Sequence, residues 1–193
     1  AAFETARARL PTAPASLANS GGTFLGPDYP FNLDRPGTAL YGGRAFEGAP
    51  NPMQPVVKLK ARILQVRTIP PGDTVGYGAT YEAKAPTRVA TIACGYADGF
   101  LRALSGSHGH PGPIGYIADF PVRIIGRVSM DLITLDVTDV PESLVHRGAW
   151  VEMMGERVTV DDLTDRAGTI GYELLSRLSN RVHRIYTEHP QRT

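Results

Sequence analysis

Five short motifs carry the residues of this chain that are best suited to chemistry. Four of them combine glycine with tyrosine, arginine, serine or threonine. The five are Ala-Asn-Ser at residues 18–20, Arg-Pro-Gly-Thr-Ala-Leu-Tyr-Gly at 35–42, Gly-Tyr-Ala-Asp-Gly at 95–99, Gly-Arg-Val-Ser-Met-Asp at 126–131 and Gly-Thr-Ile-Gly-Tyr-Glu at 168–173. Glycine lets a backbone come close to a ligand because no side chain blocks the approach. Each motif alone is a weak signal, and Tyr96 alone would more often be a tyrosine packed beside a turn.

The histidines favour no metal site. His108 and His110 share a Gly- and Pro-rich loop without a carboxylate or thiolate at ligand spacing, which is typical of a solvated loop. The remaining histidines are scattered along the chain: His146, His183 and His189. A serine hydrolase is also not indicated, because the chain has no Gly-x-Ser-x-Gly elbow.

Composition excludes several partners. The 193 residues carry a formal net charge of +1 and no basic run, so nucleic acid is not an expected partner. No apolar segment reaches the roughly 18 residues that a membrane span requires. The single cysteine, Cys94, cannot form an intrachain disulfide, which favours a reducing compartment and a cytoplasmic location. The first ten residues are typical of the end of an amphipathic helix that began earlier, because no capping residue precedes them.

The first 50 residues and the rest differ in their patterning. Residues 15–22 and 31–43 are each typical of a short buried strand that ends in a binding loop, and two such units need partners from outside this chain. Residues 43–53 contain Gly48, Pro50 and Pro52, which predict a loop and a domain boundary. We therefore predict a first unit at residues 1–52 and a second at 53–193.

The second unit is predicted to be an antiparallel sheet or barrel. Alternation of apolar and polar residues predicts strands at 58–63, 88–94, 121–125, 131–137, 149–154 and 157–160. Asp161 and Asp162 are predicted to cap a helix that ends at Gly168, and 173–178 has the spacing of a second helix. Residues 181–186 are predicted to form a last strand.

Together with Val-Gly-Tyr-Gly-Ala-Thr-Tyr at 75–81, the five motifs resemble the alanine racemase family over nearly the whole chain. The resemblance implies a mainly β C-terminal domain of the racemase type, preceded by the last part of an α/β (TIM-type) barrel that binds pyridoxal 5'-phosphate. It also implies a head-to-tail homodimer that interconverts L-alanine and D-alanine for the supply of peptidoglycan precursors. On this basis, 1–52 is the incomplete end of the cofactor barrel and 53–193 is the β domain.

Racemisation requires two acid/base groups, one on each face of the α-carbon, while the cofactor withdraws electrons. The resemblance assigns one role to the lysine that forms a Schiff base with the cofactor and the other to Tyr96. A free phenol is a poor base at neutral pH unless positive charge stabilises the phenolate. Asp98 is predicted to be a turn or hydrogen-bonding residue rather than a second base.

By resemblance, five residues contact the cofactor. Arg35 faces the pyridine nitrogen, Ser20 binds the phosphate through its hydroxyl, Gly37 and Thr38 through backbone N–H groups, and Tyr172 through its phenol. Each has an ordinary alternative, since Arg35 suits a surface ion pair and Ser20 and Thr38 suit loop caps. Thr38 also replaces the branched apolar residue expected there, a change that a backbone contact would tolerate.

The resemblance assigns substrate contacts to the later motifs. Met130 matches a position whose backbone amide binds the substrate carboxylate, and Arg127 and Ile170 match positions that line an entry channel. Ser129 stands where some members have cysteine, so no thiol chemistry is expected. A methionine that fills a gap in the core remains the alternative for Met130.

The Schiff-base lysine is not in this chain. Lys58 and Lys60 belong to an alternating strand and Lys84 to a loop. The N-terminal barrel portion of the same enzyme is therefore an expected partner, and the chain alone is expected to be inactive.

Two alternatives to an alanine racemase fragment stay open at this point. One is a non-catalytic dimerisation or binding module derived from the racemase, and the other is a racemase of another small amino acid such as serine. The related decarboxylases fit less well because their motifs are cysteine-based and Cys94 lies in none of them.

Overall fold

Antiparallel strands in residues 59–154 close into a barrel. The computed structural model describes residues 2–107 and 109–188. The barrel strands are β1 (Leu59–Ile69), β4 (Thr87–Ala93), β5 (Ile114–Ile117), β6 (Phe120–Ile124), β7 (Leu132–Asp136) and β8 (Trp150–Met154). They are hydrogen-bonded in the order β1-β4-β7-β6-β5-β8, and β8 returns to β1. The predicted mainly β domain is confirmed.

The long strand β1 makes the closure possible because it pairs with β4 over one half and with β8 over the other. Its register shifts between Ile63 and Gln65 and again between Leu59 and Lys60. Such irregularities bend a strand and increase its twist, which a closed barrel of few strands requires.

Alternation of side chains fills the barrel. Along β1, Leu59, Ala61 and Ile63 are buried, while the residues between them are exposed. The other strands contribute apolar residues to the same core, among them Ile92, Ile124, Ile133, Leu135, Val151 and Met153. Phe100 and Leu174 from outside the strands also belong to this core, so the loop after β4 and the C-terminal helices are anchored to the barrel.

A small hairpin lies beside the barrel. Strands β2 (Thr74–Val75) and β3 (Tyr81–Glu82) pair with each other and were not predicted, because runs of two residues carry no period. A turn at Pro70–Asp73 leads into β2, with Asp73 N donating to Pro70 O and Gly72 at φ +89°. Strand β5 was also missed, since its Ile-Gly-Tyr-Ile sequence lies within a Gly- and Pro-rich region.

The first 50 residues contain little regular structure. Helix α1 (Ala2–Arg7) buries no residue. The predicted strand at 15–22 is wrong, because only a single parallel bridge joins Asn19 to Arg35 and α2 (Ser20–Thr23) follows at once. Asn19 favours this helical turn by accepting a hydrogen bond from Gly22 N. Large apolar side chains stay exposed here: Leu17, Phe24, Leu25, Leu33 and Leu40.

The C-terminal elements differ in part from expectation. The predicted strand at 157–160 is wrong, since Thr159 caps α3 (Val160–Ala167) and exchanges hydrogen bonds with Asp162 in a capping box. Helix α4 (Gly171–Arg177) is confirmed. Residues 181–186 are not a strand, because β8 already pairs with β1 and β5 and the closed barrel offers no edge. No helix in the described ranges combines the length and apolarity of a membrane span.

The barrel core predicts a clear stability difference between two leucines. Leu135 is fully buried, whereas Leu64 on β1 is 43% exposed. Truncating a buried leucine removes apolar contacts and leaves a cavity, so we expect Leu135→Ala to lower the free energy of unfolding by about 2–5 kcal/mol. The matched control, Leu64→Ala, should lower the free energy of unfolding by no more than about 1 kcal/mol. Urea unfolding monitored by circular dichroism measures both, and equal losses would contradict the assigned core.

Candidate active site

The loop that contains Tyr96 lies directly against the loop that contains Met130. Tyr96 N donates to Ser129 O at 3.0 Å, and Ala97 N donates to Met130 O at 2.9 Å. Gly95 permits this approach, because a Cβ at that position would lie 2.3 Å from Met130 O. The structure therefore brings together two residues that were predicted to act on the same substrate.

Neither residue is sealed in the core. The Tyr96 side chain is 37% exposed and Met130 is 52% exposed, so both face a surface that a ligand can reach. The Met130 carbonyl accepts from Ala97, while the Met130 N–H makes no hydrogen bond within residues 2–107 and 109–188. That amide is available to an anionic group.

Asp98 shapes the Tyr96 loop as the sequence predicted. Its Oδ2 accepts from Gly95 N at 2.8 Å, which closes the 3₁₀ turn Tyr96–Asp98, and Gly99 follows in the left-handed conformation. Its Oδ1 lies 3.3 Å from Arg181 Nε. No sequence motif points to Arg181, because 83 positions separate it from Asp98.

Arg127 lies beside the loop that links β2 and β3. The Cβ position of Gly78 is 3.1 Å from Arg127 Nη1, and that of Gly76 is 2.8 Å from Arg127 N. Both glycines have positive φ, which a side chain would disfavour. The guanidinium therefore packs against a backbone that only glycine provides, and exposed Tyr77 stands between the two glycines.

Ser20, Gly37 and Tyr172 form a second cluster. Ser20 Oγ accepts from Gly37 N at 2.7 Å and from Ala39 N at 3.4 Å. A Cβ on Gly37 would lie 3.8 Å from Tyr172 Cε1 and 4.0 Å from Ser20 Oγ. We call Ser20, Gly37, Thr38 and Tyr172 the cup. The cup opens onto a cavity of about 670 Å³, which Gly37, Thr38 and Tyr172 help to line.

Thr38 closes the base of the cup. The residue is buried, and its Oγ1 has no hydrogen-bond partner in the described chain. Oγ1 lies 2.3 Å from the Cβ position of Gly43 and 3.2 Å from that of Gly171, so both neighbours must be small. The threonine side chain thus packs against the start of α4, and its backbone N–H is also unbonded within the described residues.

Arg35 is held in place by neutral oxygens. Its Nη1 donates to Ser16 Oγ at 2.6 Å and its Nη2 donates to Leu17 O at 3.4 Å. Because these acceptors carry no charge, they orient the guanidinium without neutralising it.

Asp161, on α3, binds the segment that follows Thr38. Its two carboxylate oxygens accept from Arg44 N at 2.9 and 3.0 Å, and Oδ2 accepts from Asn51 Nδ2 at 2.8 Å. Arg44 Nη2 also contacts Asp165 at 2.5 Å. These bonds hold Arg44 and Asn51 against α3. No sequence motif indicates these bonds, since more than 100 positions separate the partners.

Helix α4 separates the two clusters. Its first residue, Gly171, lies at the cup beside Thr38. Its last residue, Arg177, lies at the other loop, where the Cβ position of Gly99 is 2.4 Å from Arg177 O. Seven residues at about 1.5 Å each span about 10 Å. Tyr172 and exposed Ile170 therefore belong to the cup end, and Tyr96 to the opposite end.

No group of three or more His, Cys, Asp or Glu side chains that would hold a metal occurs in 2–107 and 109–188. His108 and His189 lie outside the described residues. Burial raises the pKa of the Cys94 thiol to about 12, and Asp98 adds to the effect, so the thiol stays protonated at neutral pH.

The sequence is similar to alanine racemases. The family model for the C-terminal domain of alanine racemase matches residues 56–186. The chain is 50% identical over 190 residues to the alanine racemase of Rhizobium meliloti strain 1021, covering 95% of this chain and 50% of the relative. It is also 50% identical over 186 residues to the alanine racemase of Rhodospirillum rubrum, covering 96% and 48%. The chain thus spans about half the length of the curated relatives it matches.

Solved structures agree with the sequence relatives. Alanine racemase from Bartonella henselae, with covalently bound pyridoxal phosphate, superposes with a TM-score of 0.84 at 41% identity over 96% of this chain and 50% of that one. The biosynthetic alanine racemase from Pseudomonas aeruginosa gives a TM-score of 0.81 at 34% identity over 95% and 50%. Fold and relatives together define the β-barrel domain of an amino-acid racemase. The chain belongs to the alanine racemase family, of which it represents the C-terminal portion.

The close contact between the Tyr96 loop and the Met130 loop predicts that a methyl group added at residue 95 destabilises the fold. In Gly95→Ala, the new Cβ meets backbone carbonyls that cannot rotate away, so we expect the free energy of unfolding to fall by roughly 1–3 kcal/mol. Gly109→Ala is the matched control, because its Cβ would meet nothing within 4 Å. Chemical denaturation of both variants checks the prediction, and a neutral Gly95→Ala would show that the loops do not touch as described.

Proposed function

We propose that this chain is the C-terminal half of an alanine racemase that interconverts L-alanine and D-alanine with pyridoxal 5'-phosphate. One observation carries the proposal: the loop of the exposed Tyr96 lies against the loop that contains the unbonded amide of Met130. The chain that holds them is 50% identical in sequence to an alanine racemase. We also propose a cytoplasmic location and a role in supplying D-alanine for peptidoglycan.

The cup fits the phosphate of this cofactor. A Cβ on Gly37 would fill the space between Ser20 and Tyr172. The hydroxyl of Ser20 accepts two backbone hydrogen bonds, so its own proton remains free to donate. The unbonded amide of Thr38 and the phenol of Tyr172 add two more donors. Several donors around a small concave space are what a phosphate requires.

Arg35 fits the ring nitrogen of the same cofactor. Its guanidinium offers only N–H donors, so it would bind the ring nitrogen only while that nitrogen carries no proton of its own. Ser16 and Leu17 hold it in one orientation. When bound, the cofactor withdraws electron density from the substrate α-carbon.

Tyr96 and Met130 have different roles toward the substrate. The Met130 amide binds the substrate carboxylate, which fixes the α-carbon in front of the phenol. Tyr96 then removes or returns the proton on one face of that carbon. The second base, a lysine outside this chain, acts on the other face. Arg127 and Ile170 border the entrance.

The geometry favours a head-to-tail homodimer. Tyr96 and the cup lie at opposite ends of α4, about 10 Å apart by its length. Neither cluster holds a complete set of groups. In a head-to-tail pair, Tyr96 of one copy acts at the cofactor that the cup of the other copy holds.

An N-terminal barrel portion is the further partner that we propose. The apolar side chains exposed in the first 50 residues, Leu25 and Leu33 among them, form a surface that such a portion would cover. The relatives also have about as many additional residues as this chain contains. A purely structural module derived from the racemase is not favoured, because it would need neither the free Met130 amide nor the Ser20 donor.

The test joins this chain to the N-terminal half of the Rhizobium meliloti racemase. We expect this fusion protein to bind pyridoxal phosphate, seen as Schiff-base absorbance, and to racemise alanine, while the chain alone with added cofactor does not. Alanine is expected to be preferred over serine in the same assay. Loss of a positioned acid/base group costs about 10²- to 10⁴-fold, so Tyr96→Phe should retain the absorbance but lose activity by that factor.

Tyr116→Phe is the matched control, since Tyr116 lies on β5 between β6 and β8 and its ring packs against Arg157, which belongs to neither cluster. Its activity should equal that of the unsubstituted fusion protein. Sustained turnover by the chain alone, or full activity in Tyr96→Phe, would contradict the proposal.

A further inference from the structure

Arg181 bridges two carboxylates that belong to different loops. Its Nη2 donates to Asp131 Oδ1 at 2.6 Å, and its Nε lies 3.3 Å from Asp98 Oδ1. Asp98 follows Tyr96 by two positions, and Asp131 directly follows Met130. One guanidinium therefore holds together the loop of the phenol and the loop of the substrate-binding amide.

The segment around Arg181 is itself fixed to the Tyr96 loop. Ser179 N donates to Asp98 O at 3.1 Å, and Arg181 N donates to Ser179 Oγ at 3.2 Å. Arg184 Nη2 donates to Leu178 O at 2.9 Å, which keeps the segment folded after α4. The backbone thus presents Arg181 to both carboxylates, in the region where a strand was expected from the sequence.

An arginine is suited to this position because its planar group offers several donors at fixed angles. A lysine has a single ammonium centre and would have to choose between Asp98 and Asp131. Asp98 is only 15% exposed as a side chain, so its interaction with Arg181 is less screened by solvent than a surface pair. The hydrogen bond to Asp131 and the charge of Asp98 both raise the pKa of Arg181.

We propose that Arg181 is a positioning residue for racemisation, which sets the distance between the Tyr96 phenol and the Met130 amide by binding Asp98 and Asp131 together. This inference rests on the proposed function. Arg181 touches neither substrate nor cofactor and acts through the two loops. The ordinary alternative is a half-exposed ion pair, which contributes little to stability and would not affect the reaction.

The two directions of racemisation distinguish these possibilities. Removal of the α-proton by Tyr96 occurs in one direction only, and the lysine removes it in the other. If Tyr96 is displaced, its proton removal becomes slower. The primary isotope effect with Cα-deuterated alanine must then rise in that direction and fall in the opposite one. A loss of folded protein would change neither isotope effect.

The experiment uses the fusion protein with Arg181→Met and Arg181→Lys. We expect Arg181→Met to lower kcat/KM about tenfold, because small misplacements of a reacting group are costly, and to shift the two isotope effects in opposite directions. Arg181→Lys should be intermediate. The matched control is Arg157→Met, which removes a comparable exposed pair with Asp119 at 3.2 Å outside the loops, and it should behave as the unsubstituted protein.

Hydrogen exchange provides a readout that does not depend on activity. The Tyr96 and Ala97 amides bond to the Met130 loop, so their exchange should accelerate at least severalfold in Arg181→Met as the loops separate. If Arg181→Met does not fold, Asp131→Asn removes one arm of the bridge and should give the same shifts at smaller size.

The outcomes separate the two proposals. An inactive unsubstituted fusion protein would refute the proposed function, whereas the exchange data would still test the bridge. Unchanged exchange in Arg181→Met would overturn the inference. Faster exchange with unchanged isotope effects would overturn it as well, because the bridge would then hold the loops without affecting the reaction.

Discussion

The contact of two loops across Gly95 is the constraint on which the site depends. Two backbone hydrogen bonds of 2.9 and 3.0 Å join the loops, and a single methyl group at residue 95 would lie 2.3 Å from a carbonyl oxygen. Because the loops are joined through backbone atoms, the backbone of Tyr96 and the amide of Met130 stay adjacent, and Arg181 sets their spacing. The side chains need not touch each other for this geometry to persist.

Helix α4 fixes the distance between the cup and the Tyr96 loop. It begins at Gly171, behind the cup, and ends at Arg177 against Gly99. The helix is anchored to the barrel core through Leu174. The barrel therefore holds the cup and the Tyr96 loop at a fixed separation, which the proposed head-to-tail dimer would use.

Much of this arrangement is predictable from the sequence. Most of the parts that are not predictable depend on contacts between residues that are distant in the chain. Alternation identified strands such as Leu132–Asp136, because a closed barrel buries one face of each strand. It was wrong at 157–160 and 181–186, where a capping box and the absence of a free strand edge override the pattern. Short motifs pointed to residues that the structure brings together in two clusters, one around Tyr96 and one around Ser20. The ion pairs of Arg181 and the hydrogen bonds of Asp161 could not be predicted from the sequence, because they join positions that only the fold brings together.

The central claim is that Tyr96 handles the α-proton on one face only. The most direct measurement follows solvent deuterium into each enantiomer of alanine with the Tyr96→Phe fusion protein. We expect deuterium to enter the α-position of one enantiomer without inversion, because the remaining base still acts on its own face, while the other enantiomer keeps its proton. Exchange of both enantiomers at equal rates would contradict the account.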